Sequence, residues 1–76
     1  KRLARQEVTF LMRLAERSGQ IVHRDSLVDA IWGTAEPDSN GLDVLAWRIR
    51  KKLGAHASLV ETVRGGGYRL RIDRLS

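Results

Sequence analysis

Residues 42–70 read LDVLAWRIRKKLGAHASLVETVRGGGYRL, and the hydrophobic period changes inside this stretch. Over residues 41–53 the spacing predicts a helix. At 100° per residue, Leu42, Leu45, Ala46, Ile49 and Leu53 cluster on one side. The opposite side carries Val44, Trp47, Arg48 and Lys51. Asn40 is placed to cap the N-terminus, and Asp43 three residues on makes a capping-box-like pair with it. Gly54 is the stop. Beyond it the pattern turns to strand. Leu59–Arg64 and Tyr68–Ile72 are β-branched or aromatic runs separated by Gly65-Gly66-Gly67, a hairpin signal. In the second run Tyr68, Leu70 and Ile72 face one way, and Arg69 and Arg71 the other.

Working upstream, residues 4–17 read as a helix. Val8, Leu11, Met12 and Ala15 share one face, widened by Phe10 and Leu14. Glu7 lies inside that apolar arc and is expected to form an internal ion pair. Gly19 follows as a stop. Ile21 and Val22 suffice for one brief strand. Residues 24–32 read as a second helix with Leu27, Val28, Ile31 and Trp32 inward, ended by Gly33. Residues 33–40, GTAEPDSN, read as a loop. The expected fold is mainly α with a small antiparallel sheet: three helices, a short strand and a C-terminal β-hairpin.

The chain has 76 residues, 14 Lys+Arg against 9 Asp+Glu, a net charge of +5 and no Cys. That length holds one small domain or a piece of one. Zero Cys excludes a disulfide framework and Cys-based zinc sites, and fits a reducing compartment. No apolar run approaches a membrane span. The charge is uneven. Residues 1–17 carry +3, residues 18–41 carry −3, residues 42–54 carry +3 and residues 55–76 carry +2. A folded body with that distribution has one basic and one acidic surface, which favours oriented docking on a polyanion.

The basic helix and the arginine-bearing hairpin are the features with chemistry in them. An α-helix fits the major groove of B-DNA, where its outer face must offer donors to base edges and phosphates. Arg48 and Lys51 sit on that face beside Val44 and Trp47. Arg64, at a glycine-rich tip, suits the narrow, strongly negative minor groove. The bland reading of Arg50, Lys51 and Lys52 is that they solvate a helix end and complement its dipole. Trp47 either packs on the hairpin or on another segment, or meets the sugar–phosphate surface or a thymine methyl. Val44 can do the last as well. No catalytic constellation is legible. His23 and His56 stand apart without a carboxylate pattern, so no metal site is expected. The glycine run lacks the Lys-Ser/Thr of a phosphate loop, so no nucleotide cofactor is expected either.

The order of these motifs resembles the DNA-binding effector domain of OmpR/PhoB-type bacterial response regulators, a winged helix-turn-helix. Residues 3–33, LARQEVTFLMRLAERSGQIVHRDSLVDAIWG, resemble its first two helices with a Trp-Gly ending. Residues 42–54 resemble its recognition helix, and residues 60–70, VETVRGGGYRL, its wing with Thr-Val-Arg-Gly-x-Gly-Tyr. The resemblance implies sequence-specific double-stranded DNA binding in the bacterial cytoplasm, with no catalysis. It puts helix 41–53 in the major groove and wing 60–72 at the minor groove. The candidate DNA contacts are Asn40, Val44, Trp47, Arg48, Lys51, Thr62, Arg64 and Arg69. Thr62 would meet phosphate, Arg64 would enter the minor groove and Tyr68 would pack under the wing. Loop 33–40, with Glu36 and Asp38, would be the face turned to RNA polymerase, and tandem dimers on direct repeats would form. Measured against the family pattern, the chain 1–76 reads as one winged-helix domain, a fragment lacking the family's N-terminal sheet and receiver domain.

Four departures stand out. Leu45 replaces a frequent phosphate-reaching His, so either the helix packs closer or Leu45 joins the core. Ala46 replaces a bulkier aliphatic. Trp47 stands where a basic or polar residue is usual, and His23 replaces a better-capping Ser before helix 2. Two rival classes compete with DNA binding. One is a winged-helix protein-interaction module using a Val44/Trp47 patch. The other is an anionic-membrane binder, disfavoured because Glu7 and Glu16 spoil a clean basic–apolar split in the first helix.

Overall fold

A computed structural model of the chain describes residues 2–33 and 40–71. Loop residues 34–39, with Glu36 and Asp38, and the hairpin end at Ile72 lie outside the described residues. The order is α1 (Arg5–Glu16), β1 (Val22–His23), α2 (Arg24–Trp32), α3 (Gly41–Leu53), a 3-10 stretch (Gly54–Leu59), β2 (Val60–Val63) and β3 (Gly67–Leu70). Helices α2 and α3 fall where their periodicity placed them. The 3-10 stretch takes in Leu59, so the first hairpin strand starts one residue later, at Val60.

The first helix turns only part of its expected face inward: Phe10, Leu11 and Leu14 pack on the core and Glu7 has its ion pair, but Val8, Met12 and Ala15 do not join them. Val8 and Met12 are 41% and 56% exposed, and Ala15 is exposed too. Phe10 and Leu14 are fully buried, Glu7 nearly so, and Leu11 packs against the core. Residues 7, 10, 11 and 14 satisfy the same helical spacing as 8, 11, 12 and 15. The two stripes tie on pattern, and the larger ring of Phe10 together with an ion pair for Glu7 decides between them. Glu7 Oε1 accepts from Lys52 Nζ at 2.8 Å and from the Ala4 N–H at 2.7 Å. It therefore closes half a capping box at α1 and bolts α1 to α3. The Lys52 hydrogen bond holds its carboxyl below the ordinary range, outweighing its burial.

The sheet is antiparallel with order β1-β3-β2. Its central strand β3 pairs Tyr68 with both Val22 and Thr62, and Gly67 with both His23 and Val63. The brief first strand is thus Val22–His23 instead of Ile21–Val22, because those two residues face β3. The hairpin runs are also shorter than expected, and Gly67 belongs to the strand. Gly67 has φ 151, and a Cβ there would lie 2.1 Å from the Val22 carbonyl oxygen. Only glycine lets three backbones meet at this point. The turn is closed by the Gly66 N–H donating to Val63 O at 3.0 Å, with Gly65 at φ 76 in its third position. Arg64 therefore stands at the tip.

Helices and sheet share one core of Phe10, Leu14, Val22, Leu27, Leu42, Leu45, Ala46, Ile49, Val60 and Tyr68. Leu45 is 3% exposed, so it takes the core role in place of a polar side chain. Phe10 and Tyr68 meet edge to face, with centroids 5.2 Å apart. Such a pair adds about 0.5–1.5 kcal/mol to simple burial.

Candidate nucleic-acid interface

Helix α3 is divided along its length. Leu42, Leu45, Ala46 and Ile49 are buried, while Val44, Trp47, Arg48 and Lys51 are exposed. The exposed ridge is the one the helical spacing predicted. Trp47 is 58% exposed, and Lys51 Nζ sits over its ring, 5.1 Å from the centroid. Val44 and Arg48, one turn apart, border a 230 Å³ hollow shared with Gln6, Trp32 and Asn40.

The flanks of α3 do structural work. Arg50 and Lys52 lie about 80° to either side of the middle of the apolar arc. From there each reaches across to another element. Lys52 takes Glu7. Arg50 Nε donates to Val60 O at 3.0 Å, and its Nη2 donates to Thr62 Oγ1 at 2.7 Å. Arg50 thus does more than solvate the helix end, and its position at the edge of the apolar arc is the signal of that in the sequence. Because Arg50 occupies an acceptor site of Thr62, the hydroxyl's own proton is left to donate elsewhere.

Two sequence expectations at the start of α3 are corrected. Asn40 takes the N-cap position, and its carbonyl accepts from the Val44 N–H at 3.0 Å, but its side chain caps nothing. Its backbone, φ −103 and ψ 12, is not the extended conformation that aims a capping side chain at the first turn. Asp43 does not complete a capping box either. It accepts from Arg24 Nη1 at 3.0 Å and from the Tyr68 hydroxyl. The Tyr68 and Arg24 hydrogen bonds hold the Asp43 carboxyl below its ordinary range. Burial and then the Asp43 contact push Tyr68 up to about 12. The same carboxylate raises Arg24. Arg24 N–H also donates to Gly66 O at 3.3 Å, and His23 Nδ1 lies 3.3 Å from that oxygen. One carboxylate thus joins the starts of α2 and α3 to the root of the hairpin.

On the hairpin, Arg64 and Thr62 are exposed. Arg69 is half-buried and donates twice to Glu61 Oε1, at 3.0 and 2.7 Å, across the β2–β3 pair. Its guanidinium is therefore committed to a partner, unlike the tip arginine's placement in solvent. Among the described residues, no group of three His, Asp or Glu is placed to hold a metal ion. No helix among them is long and apolar enough to cross a membrane.

Three helices on a small antiparallel sheet, with an exposed cationic helix face and an arginine-tipped hairpin, invite comparison with known proteins. Residues 1–70 match the family described as Transcriptional regulatory protein, C terminal. The chain belongs to this family. It is an OmpR/PhoB-type winged-helix effector domain, and that family binds DNA and is not an enzyme. The effector domain is 37% identical over 67 residues to the response regulator protein PmrA of Pseudomonas aeruginosa, covering 87% of this chain and 29% of PmrA. It is 38% identical over 69 residues to the transcriptional regulatory protein HprR of Escherichia coli, covering 87% of this chain and 31% of HprR. The chain thus spans about 30% of the length of these two relatives. Its fold matches the RstA DNA-binding domain of Klebsiella pneumoniae, solved in complex with the RstA box, with TM-score 0.76 and 32% identity over 91% of this chain and 72% of that one. The C-terminal domain of the nisin resistance regulator NsrR aligns with TM-score 0.69 and 33% identity, over 90% of this chain and 72% of that one.

Proposed function

We propose that this effector domain recognises a specific duplex DNA sequence with α3 in the major groove and Arg64 in the minor groove. In that docking Val44, Trp47, Arg48 and Lys51 face base edges and backbone, Asn40 lies at the groove edge, and Thr62 donates its hydroxyl to a phosphate. Arg69 contributes as a backbone-directed charge, and less than Arg48 or Arg64, because it must first release Glu61. The observation that carries the reading is the division of α3. One face packs into the core and the other is an exposed cationic ridge, while Arg50 on the flank between them ties the helix to the hairpin through Val60 and Thr62. Helix and wing then present to the duplex as one rigid surface.

The test is duplex binding by fluorescence anisotropy across a salt series. The affinity is expected to fall linearly in log–log form with salt, because the cationic contacts release counterions. Arg48→Ala is expected to cost about 1–3 kcal/mol and to relax preference at one base step. Binding that ignores salt and sequence would defeat the proposal. The 58% exposure of Trp47 supports a second reading, a protein-interaction patch formed with Val44. In that case Trp47→Ala abolishes partner binding while Arg48→Ala changes nothing.

The relatives' names extend the proposal to a whole protein. We place this domain in a cytoplasmic two-component response regulator that forms tandem dimers on direct repeats. Loop 33–40 would turn its Glu36 and Asp38 away from DNA and toward RNA polymerase. Glutamine at both acidic positions should then lower transcription without changing DNA affinity.

A further inference from the structure

We infer that the Val44–Trp47 pair makes this domain a reader of C5-methyl groups on pyrimidines in the major groove, with Trp47 the main specificity determinant. The inference rests on the major-groove placement of α3 proposed above and names what that face reads. Trp47 is 58% exposed and Val44 is 37% exposed, three residues apart on the same outer face. An indole left this bare on a small domain marks a contact surface. Its direction is set by the molecule itself. Lys51 Nζ lies 5.1 Å from the ring centroid, a cation–π contact that favours an indole lying along the outer face of the helix. The rest of the ring stays open.

The chemistry of the groove then narrows the choice. Every base edge there is a set of polar donors and acceptors except one feature, the C5-methyl of thymine. An isopropyl or indole pressed on the polar edges strands their hydrogen-bonding groups. Against a methyl it buries apolar surface on both sides. The indole also carries one donor, which meets no acceptor among the described residues. Thymine sets an acceptor, O4, beside its methyl, so it matches both parts of the indole. A 5-methylcytosine keeps the methyl but offers a donor in place of that acceptor. Arg48 and Lys51 flank the apolar pair and hold it against the backbone of the same groove.

The experiment starts from duplexes that this chain selects from a random pool. Each thymine in the selected site is replaced singly by uracil, which removes the methyl and nothing else. We expect a loss of about three- to tenfold at one step for the wild type. Trp47→Ala should bind more weakly but show no further loss at that step, and Val44→Ala should erase a smaller effect at a neighbouring step. Both side chains are exposed, and circular dichroism checks that the variants fold. Cytosine and 5-methylcytosine at the sensitive step separate the sources. Recovery with 5-methylcytosine shows that the methyl suffices, whereas no recovery assigns thymine with its O4. Sequence-specific binding indifferent to every uracil replacement overturns the inference but leaves the groove placement standing. So does a uracil effect that persists in Trp47→Ala. If no duplex is selected at all, the groove placement itself fails.

Discussion

Glu7 illustrates how one side chain can carry more than one element. It caps the start of α1 and holds Lys52 of α3 while itself buried. Glu7→Ala leaves the Ala4 N–H and the Lys52 ammonium without their acceptor, and should cost about 1–3 kcal/mol. Glu7→Gln keeps an acceptor and should cost less. Urea midpoints check both, and an unchanged midpoint for Glu7→Ala would refute the role. The linkage has a definite sign. The folded pKa of Glu7 is lowered, so its contribution is complete above the ordinary value of 4.5 and is lost as pH falls through the folded value. Gly67 is the second single-residue dependence. A methyl there meets the Val22 carbonyl oxygen, so Gly67→Ala should separate β1 from β3 and lower Tm, whereas Gly66→Ala, whose nearest new contact is Ile21 at 3.5 Å, should be far milder.

At the scale of elements, the hairpin is held to α3 by Arg50. Arg50→Met keeps the aliphatic stem but removes the donors to Val60 O and Thr62 Oγ1. DNA affinity should drop without a change of base preference, because the wing loses its alignment while the ridge of α3 is untouched; a shift in preference would place Arg50 among the readers instead. Arg64→Ala should weaken binding chiefly where the flanking minor groove is A·T-rich and narrow. Equal loss on A·T-rich and G·C-rich flanks would count against the wing placement. The elements also show where periodicity runs out. In α3 the broad apolar arc faces a ridge where Val44 and Trp47 stand among the cations Arg48 and Lys51, so both of its faces were legible, with Leu42, Leu45, Ala46 and Ile49 buried as expected. In α1 two stripes have equal spacing. The choice between Met12 and Phe10 as core depended on what stood opposite: Tyr68 for Phe10, and Lys52 for Glu7.

For the whole molecule, the Arg24–Asp43–Tyr68 network adds a dependence on alkaline pH. Tyr68 titrates near 12 when folded against an ordinary 10, so its raised value adds stability that is complete below pH 10 and lost as pH rises toward 12. Tyr68→Phe should remove that dependence, as thermal melts between pH 8 and 12 would show; an identical alkaline slope in the variant would exclude Tyr68 as its source. Charge placement works at the same scale. The +5 net charge is the sum of basic blocks around an acidic middle. Several of those charges are spent inside the protein: Arg24 on Asp43, Lys52 on Glu7 and Arg69 on Glu61. The salt slope of DNA binding should therefore report fewer phosphates than the arginine and lysine count suggests. By itself the sequence determined the helix and hairpin periods, the exposed ridge Val44–Trp47–Arg48–Lys51 and the tip position of Arg64, because spacing and turn chemistry act over a few residues. Only the tertiary structure decided which stripe of α1 is core, that Asp43 serves Tyr68 and Arg24 instead of a cap, and that Arg50 and Arg69 are already partnered. Those outcomes depend on groups 8 to 58 residues apart in the chain, and no local pattern encodes which group will meet which.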